Sequence, residues 1–93
     1  MNNEKNEYQI SADQAAYLRR LASEQPDFRA MIESFGITEI GGNMLTIHSQ
    51  EAETLREYFT ERLAKVGFDS EYKPNNEGVL LESLIDNLFT PGL

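Results

Sequence analysis

Apolar positions recur with helical spacing most clearly in the second half of the chain. A buried face repeating every three or four residues predicts a helix over Ser49–Val66; its members are Ala52, Leu55, Phe59, Leu63 and Val66. Seven apolar residues between Val79 and Phe89 predict a second helix over Glu77–Phe89, with an apolar stripe wider than one contact needs. We expect that helix to be central to the fold or to present part of its face to another molecule.

The ends of these two helices carry sequence signals of their own. Ser49 is predicted to cap the start of the first, because its hydroxyl can accept a hydrogen bond from an unpaired amide. Gly67 is predicted to end it in the left-handed conformation, followed by the apolar Phe68 of a Schellman motif. Asn75 or Asn76 is expected to cap the next helix.

Two shorter helices are predicted in the first half. Ser11 and Gln14 have the spacing of a capping box, which places a helix start at Ser11. Pro26 marks the start of the next helix and Gly36 its end. Its apolar stripe follows the i, i+3, i+4, i+7 pattern of an amphipathic helix: Phe28, Met31, Ile32 and Phe35.

Between the two helical pairs the sequence favours a β-hairpin. Gly41-Gly42-Asn43 is a turn signal that separates two β-compatible runs, Ile37–Ile40 and Met44–Ile47. Alternation over Phe68–Lys73 offers a third strand. We therefore predict one mostly helical α+β domain over residues 1–93, in the order α-α-β-β-α-(β)-α, with a short hairpin on a helical core. Residues 1–8 are expected to form a flexible tail.

Composition narrows the classes of function. The 93 residues contain no Cys, which excludes disulfides and thiolate metal sites and favours a reducing, cytoplasmic location. The net charge of −8 disfavours nucleic acid and anionic membrane surfaces as partners. Neither a signal peptide nor an apolar run long enough for a membrane span is recognised.

Few residues offer chemistry. His48 is the single histidine and lies beside Ser49, but no nucleophile-elbow glycines surround the pair. Asp69 and Glu71 resemble the start of a calcium loop, yet Pro74 stands where an EF-hand needs Gly. A weak ion site using Asp69, Glu71 and Glu77 is the alternative to solvated loop charges. We predict a non-enzyme without a cofactor or a metal ion.

An acidic ridge is predicted on the Ser49–Val66 helix, where Glu53, Glu57 and Glu61 repeat at i, i+4. One interpretation is a solvated face whose repulsion is relieved by nearby cations, namely Arg56, Arg62 and Lys65. The other is a surface that docks on a basic partner. Tyr58 lies beside the ridge and adds a residue type that is enriched at interfaces.

A resemblance covers about half of the chain, from Leu45 to Phe89. The segments that carry it are Glu51-Ala52, Leu55-Arg56, Gly67-Phe68-Asp69, Tyr72, Asn76-Glu77-Gly78 and Leu81–Asp86. These resemble the C-terminal segment of a recurrent type of small acidic bacterial protein, for which the resemblance implies no activity and no functional residues. In size, charge and lack of a catalytic set, the chain is also similar to immunity proteins and antitoxins.

Three functional hypotheses follow. The first is a non-catalytic protein-interaction module that binds a basic surface or forms a homodimer; its candidate partner-binding residues are Glu53, Glu57, Tyr58, Glu61, Leu88 and Phe89. The alternative is an immunity-like or antitoxin-like inhibitor that masks a basic site. The third, a small hydrolase or metal-dependent enzyme, would rest on His48.

Overall fold

Four helices and two short strands make up the part of the chain that the structure describes. The structure is a computed structural model, and it describes residues 5–37 and 40–89. The elements run in the order β1 (Asn6–Gln9), α1 (Ala12–Glu24), α2 (Pro26–Ser34), β2 (Met44–Ile47), α3 (Ser49–Val66) and α4 (Asn76–Asn87). The predicted class, a small and mostly helical α+β domain, is confirmed.

The first helical pair begins and ends as its sequence predicts. The Gln14 amide donates to the Ser11 hydroxyl at 3.1 Å, and the Ser11 amide donates to the Gln14 side chain at 2.7 Å, so the capping box of α1 is complete. After α2, Gly36 adopts a φ of +83°. The Ile37 amide then donates back to the Ile32 carbonyl at 3.1 Å, the bond that defines a Schellman motif.

The sheet corrects the predicted hairpin. β2 is the predicted strand Met44–Ile47, but its antiparallel partner is β1, with Asn6 opposite Ile47 and Gln9 opposite Met44. The predicted first arm, Ile37–Ile40, includes residues 38 and 39, which lie outside the described residues. Its described ends belong to no strand, since the Ile37 amide is bound in the α2 cap and the Ile40 carbonyl accepts from Arg19 at 3.0 Å.

The predicted flexible tail is also corrected, because its residues 6–8 lie in β1. Tyr8 and Ile10 are both buried, and the Ile10 amide donates to the Asn43 carbonyl at 2.9 Å. The polar composition of the first seven residues masked this short alternation, in which one buried aromatic residue anchors the strand to the core. Residues 1–4 of the predicted tail lie outside the described residues.

The start of α3 differs by one residue from the prediction. His48, not Ser49, is the N-cap, and its backbone amide donates to the Glu51 carboxylate at 2.9 Å. Glu51 therefore closes the helix start by a direct hydrogen bond, as well as opposing the positive end of the helix dipole. Ser49 is the first residue of the helix itself.

The left-handed conformation predicted for Gly67 is not found at the junction between α3 and α4. Gly67 has a φ of −85°, and its carbonyl accepts the Asn75 amide at 2.8 Å. The Asn75 side chain donates to the Val66 carbonyl at 2.7 Å and accepts from the Gly78 amide at 2.7 Å. Asn75 thus caps the end of α3 and the start of α4 together.

The predicted third strand is wrong. The segment after Gly67 forms one isolated bridge between Phe68 and Pro74 around a tight turn. The Asp69 carboxylate accepts the amides of Glu71 and Lys73 at 2.8 and 3.0 Å, which folds the segment back on itself. At the tip Tyr72 has a φ of +63° and is 88% exposed, so it is neither a core residue nor part of a strand.

The core lies where the four helices meet the inner face of the sheet. Its largest fully buried side chains come from α1 to α4, from β2 and from the end of α4: Leu18, Leu21, Phe28, Ile47, Leu55, Phe59, Leu81, Leu84 and Leu88. A buried Gln14 ties α1 to α4, donating to Ser83 at 2.8 Å and accepting from Asn87 at 3.0 Å. The expected pairing of α3 and α4 with the Phe28 stripe is therefore correct.

We predict that Gly78→Ala destabilises the fold, although alanine is ordinarily the better helix former. A Cβ at Gly78 would overlap the Gly67 carbonyl oxygen and lie 3.0 Å from the Gly67 carbonyl carbon. Because both partners are backbone, the helices must shift apart, and we expect a loss of about 2 kcal/mol in urea unfolding.

Gly41→Ala is the matched control, since a Cβ there meets nothing within 4 Å. We expect its unfolding midpoint to stay close to that of the parent chain. A Gly78→Ala protein at least as stable as the parent would show that the close approach of α4 to Gly67 is not a constraint.

Candidate functional site

One surface depression lies between α3 and α4, and we call it the α3–α4 groove. Its volume is about 470 Å³, and it is lined by Glu53, Arg56, Glu57, Thr60, Glu61, Ile85 and Phe89. The three ridge glutamates predicted from the sequence form one wall with Arg56 and Thr60, because positions i, i+3, i+4, i+7 and i+8 share a helix face. Ile85 of α4 and Phe89, two residues after its end, supply the opposite wall.

The Arg56 side chain makes two contacts within the groove. Its guanidinium donates to the Leu88 carbonyl at 2.7 Å, which satisfies an unpaired carbonyl at the end of α4. The same group lies over the Phe89 ring, 4.5 Å from the centroid. Arg56 therefore holds the two walls together, and its charge is turned toward α4.

The ridge carboxylates are not neutralised by the cations expected to relieve them. Within residues 5–37 and 40–89, no ion pair joins Glu53, Glu57 or Glu61 to a Lys or Arg. Arg56 binds the Leu88 carbonyl and Arg62 binds Glu77 instead. Like charges at i, i+4 cost about 0.2–0.5 kcal/mol per pair, so the ridge slightly destabilises α3.

The two C-terminal candidate residues, Leu88 and Phe89, differ in their exposure to solvent. Phe89 is 65% exposed and lines the groove, so its role in binding a partner stays a prediction. Leu88 is fully buried in the core, because its position follows Leu81 and Leu84 on the inward face of α4. The prediction that Leu88 binds a partner is therefore wrong. The apolar stripe of α4 packs mainly in the core.

Tyr58 lies outside the groove. It is partly buried and its ring packs 5.2 Å from Phe28 and 6.0 Å from Phe59. It borders a separate depression of about 260 Å³ beside Asp27 and Arg62. Burial, followed by the nearby Asp27 carboxylate, raises the pKa of Tyr58. Tyr58 is thus first a packing residue between α2 and α3.

A polar cluster that includes Arg62 joins three helices next to this second depression. The Tyr17 hydroxyl donates to the Glu77 carboxylate at 2.6 Å, and the Arg62 guanidinium donates to the same oxygen at 3.0 Å. Arg62 also donates to the Tyr17 oxygen at 3.2 Å. The cluster links α1, α3 and the first turn of α4, where the carboxylate of Glu77 also faces the positive end of the helix dipole.

The cluster keeps its phenol protonated. Burial, and then the hydrogen bond to Glu77, raise the pKa of Tyr17 to about 12. A general base needs a pKa close to the working pH, and this shift moves Tyr17 away from neutrality. The arrangement holds α1, α3 and α4 together through hydrogen bonds, one of which the protonated phenol donates.

The residues considered for ion binding are used in other ways. Glu77 belongs to the polar cluster, and the Asp69 carboxylate accepts two backbone amides of its own loop. In the described part of the chain, no three His, Cys, Asp or Glu side chains are grouped as a metal site requires. His48 caps α3, which accounts for its place at the end of β2.

Comparison with known proteins yields no relative: no protein-family model, no curated protein and no solved structure matches the chain. The resemblance of the C-terminal segment to small acidic bacterial proteins accordingly stays a prediction. Among the described helices, none has the length and apolar character needed to cross a bilayer.

Three groove residues were not among the sequence-based candidates: Arg56, Thr60 and Ile85. The helical repeat gave a signal for the first two, since Arg56 and Thr60 lie between the ridge glutamates on the same face. No sequence signal places Ile85 in the same groove as the ridge glutamates, because that outcome depends on how α4 packs on α3.

We predict that the Tyr17 phenol makes stability fall at high pH. Because the folded-state pKa of about 12 exceeds the unfolded value of 10, its contribution is complete below pH 10 and is lost as pH rises toward 12. Urea unfolding of the parent and of Tyr17→Phe between pH 9 and 12 isolates this effect. The stability difference between the two should move in favour of Tyr17→Phe; a constant difference would contradict the assigned pKa.

We also predict that Glu57→Gln stabilises the protein by about 0.5 kcal/mol at low salt. The change removes two like-charge i, i+4 contacts, with Glu53 and Glu61, and high salt should abolish the gain. Glu7→Gln is the control, since Glu7 is exposed on β1 opposite the uncharged Thr46 and has no helix neighbours. Thermal unfolding of both variants tests the ridge; a gain at Glu7 equal to that at Glu57 would attribute it to net charge alone.

Proposed function

We propose that this protein is a non-catalytic protein-interaction module that binds a basic partner through the α3–α4 groove. The observation that carries the proposal is the coincidence, in one groove, of an exposed aromatic ring and three carboxylates that form no ion pair with a described residue. Electrostatic attraction would steer a basic partner to the ridge, and burial of Phe89 would hold it there.

The energetic state of the free surface supports this proposal. The ridge lowers the stability of α3, and an exposed Phe89 contributes nothing to the core. A surface that costs stability in the free protein is commonly retained for binding, because function and stability compete at such sites. A basic partner would relieve both costs at once.

Homodimerisation is a weaker form of the same proposal. Burial of Leu88 removes one of the two apolar residues expected at a dimer interface and leaves Phe89 as the exposed one. Two copies would also bring two acidic ridges together, and like charges facing each other disfavour association. A partner of opposite charge fits the groove better than a second copy does.

Inhibition of a basic protein is the second candidate function. The observation that favours it is the ridge itself, whose carboxylates form no ion pairs within the described chain and so stay available to mask a cationic site. This candidate uses the same groove and adds one requirement: the partner must lose activity when bound. Assaying the captured partner with and without added protein would separate inhibition from simple association.

The proposal is tested by crosslinking capture from the native host with single-residue variants. We expect Phe89→Ala and Glu57→Lys each to lose the partner that the parent chain captures, since one removes the aromatic contact and the other reverses a ridge charge. Quantitative mass spectrometry measures the enrichment, and circular dichroism verifies that each variant is folded.

Two matched variants control for general surface effects. Tyr72→Ala removes an exposed aromatic residue outside the groove, and Glu24→Lys makes the same charge change on α1. Both should capture the partner as the parent does. Equal losses in all four variants, or in none, would show that the groove is not the binding surface.

A further inference from the structure

We infer that the groove binds an amphipathic basic α-helix of its partner, with Lys or Arg every three to four residues and an apolar side chain seated against Phe89. This inference rests on the proposed function and adds the chemistry and conformation of the bound segment. It follows from three features of the groove: its charge, its apolar wall and the state of its backbone groups.

The charge of the groove selects cations. Glu61 lies eight residues after Glu53, with Glu57 midway between them, and this separation corresponds to about 12 Å along the axis of α3. Against these three carboxylates stands the guanidinium of Arg56, already held by the Leu88 carbonyl and the Phe89 ring. The groove therefore presents a line of negative charge along one wall, complementary to cations repeated at intervals of about 6 Å.

The opposite wall selects an apolar group. Phe89 is 65% exposed, and Ile85 beside it on α4 is partly buried. A segment that carried positive charge alone would leave this wall in water and gain no hydrophobic contribution from it. An amphipathic segment can contact both walls, because it carries cations on one face and an apolar residue on the adjacent face.

The backbone of the groove favours a helix over an extended chain. The walls are formed by α3, by α4 and by the turn after α4, in which the Leu88 and Phe89 amides donate back to the Leu84 and Asp86 carbonyls. The Leu88 carbonyl at the end of α4 accepts from Arg56, and the Thr60 hydroxyl donates to the Arg56 carbonyl at 2.7 Å. An extended peptide pressed into this groove would find no backbone partners, whereas a helix satisfies its own.

The test uses the full chain and three synthetic peptides of about 16 residues, roughly four helical turns. The facial peptide carries Arg at i, i+4 and i+8 with Leu residues beside them on the same side. The scrambled peptide has the same composition without that face, and the third carries a central Pro that breaks the helix. Amide chemical shifts of the 15N-labelled protein report both the affinity and the place of binding.

We expect the facial peptide to bind at least about tenfold more tightly than the other two, and to shift the amides around Arg56, Thr60, Ile85 and Phe89. Its affinity should fall as salt rises, and the triple variant Glu53→Gln/Glu57→Gln/Glu61→Gln should weaken it by about tenfold or more. Control shifts near Arg29 and Glu33, an exposed pair on α2, should stay unchanged.

Equal affinity for all three peptides would overturn the inference, because charge alone would then explain binding. Shifts that centre outside the groove, or no binding of the facial peptide, would overturn it as well. If capture depends on Phe89 and Glu57 but the facial peptide is not preferred, the proposed function stands. Only the inference that the bound segment is a helix is then contradicted. Capture insensitive to both groove variants would remove the proposed function itself.

Discussion

The close approach of two backbones, at Gly67 and Gly78, is the constraint on which the rest of the structure depends. No side chain can stand between the end of α3 and the first turn of α4, and Asn75 bonds to both helices at that point. The helices therefore leave the junction as an antiparallel pair at short separation. Their inward faces supply Leu55, Phe59, Leu81 and Leu84 to the core, and every feature of the groove is built on their outward edges.

Polar bridges then fix how the first helical pair meets this unit. The cluster of Tyr17, Arg62 and Glu77 joins α1 to α3 and α4, and the buried Gln14 joins α1 to α4 nearer the end of that helix. In a chain of 93 residues the apolar core alone gives a thin margin of stability, so satisfied polar contacts of this kind matter. They fix α1 against α3 and α4 through hydrogen bonds between side chains far apart in the sequence.

The α3–α4 groove is left as the surface with properties that folding does not require. Its acidic ridge destabilises α3, and Phe89 is exposed to solvent. Arg56, the cation among its lining residues, is hydrogen-bonded to the Leu88 carbonyl at the end of α4. The core does not explain these features, whereas a basic partner would. The proposed function and the helical nature of the bound segment both rest on this contrast between what the fold uses and what it leaves exposed.

The sequence by itself determined what local hydrogen bonding and periodicity control. It predicted the four helices, the Ser11–Gln14 capping box, the Gly36 helix end, the strand Met44–Ile47 and the acidic ridge, because each is encoded within a few neighbouring residues. Tertiary structure alone decided which segment pairs with Met44–Ile47, how α3 ends and where Arg56 points. Those outcomes join residues about 30 or more positions apart, or, at Gly67, depend on a neighbouring helix in contact with the backbone, and no local pattern records them. Leu88 and Phe89 show the division most plainly: they are adjacent and apolar, yet the packing of α4 buries one and exposes the other.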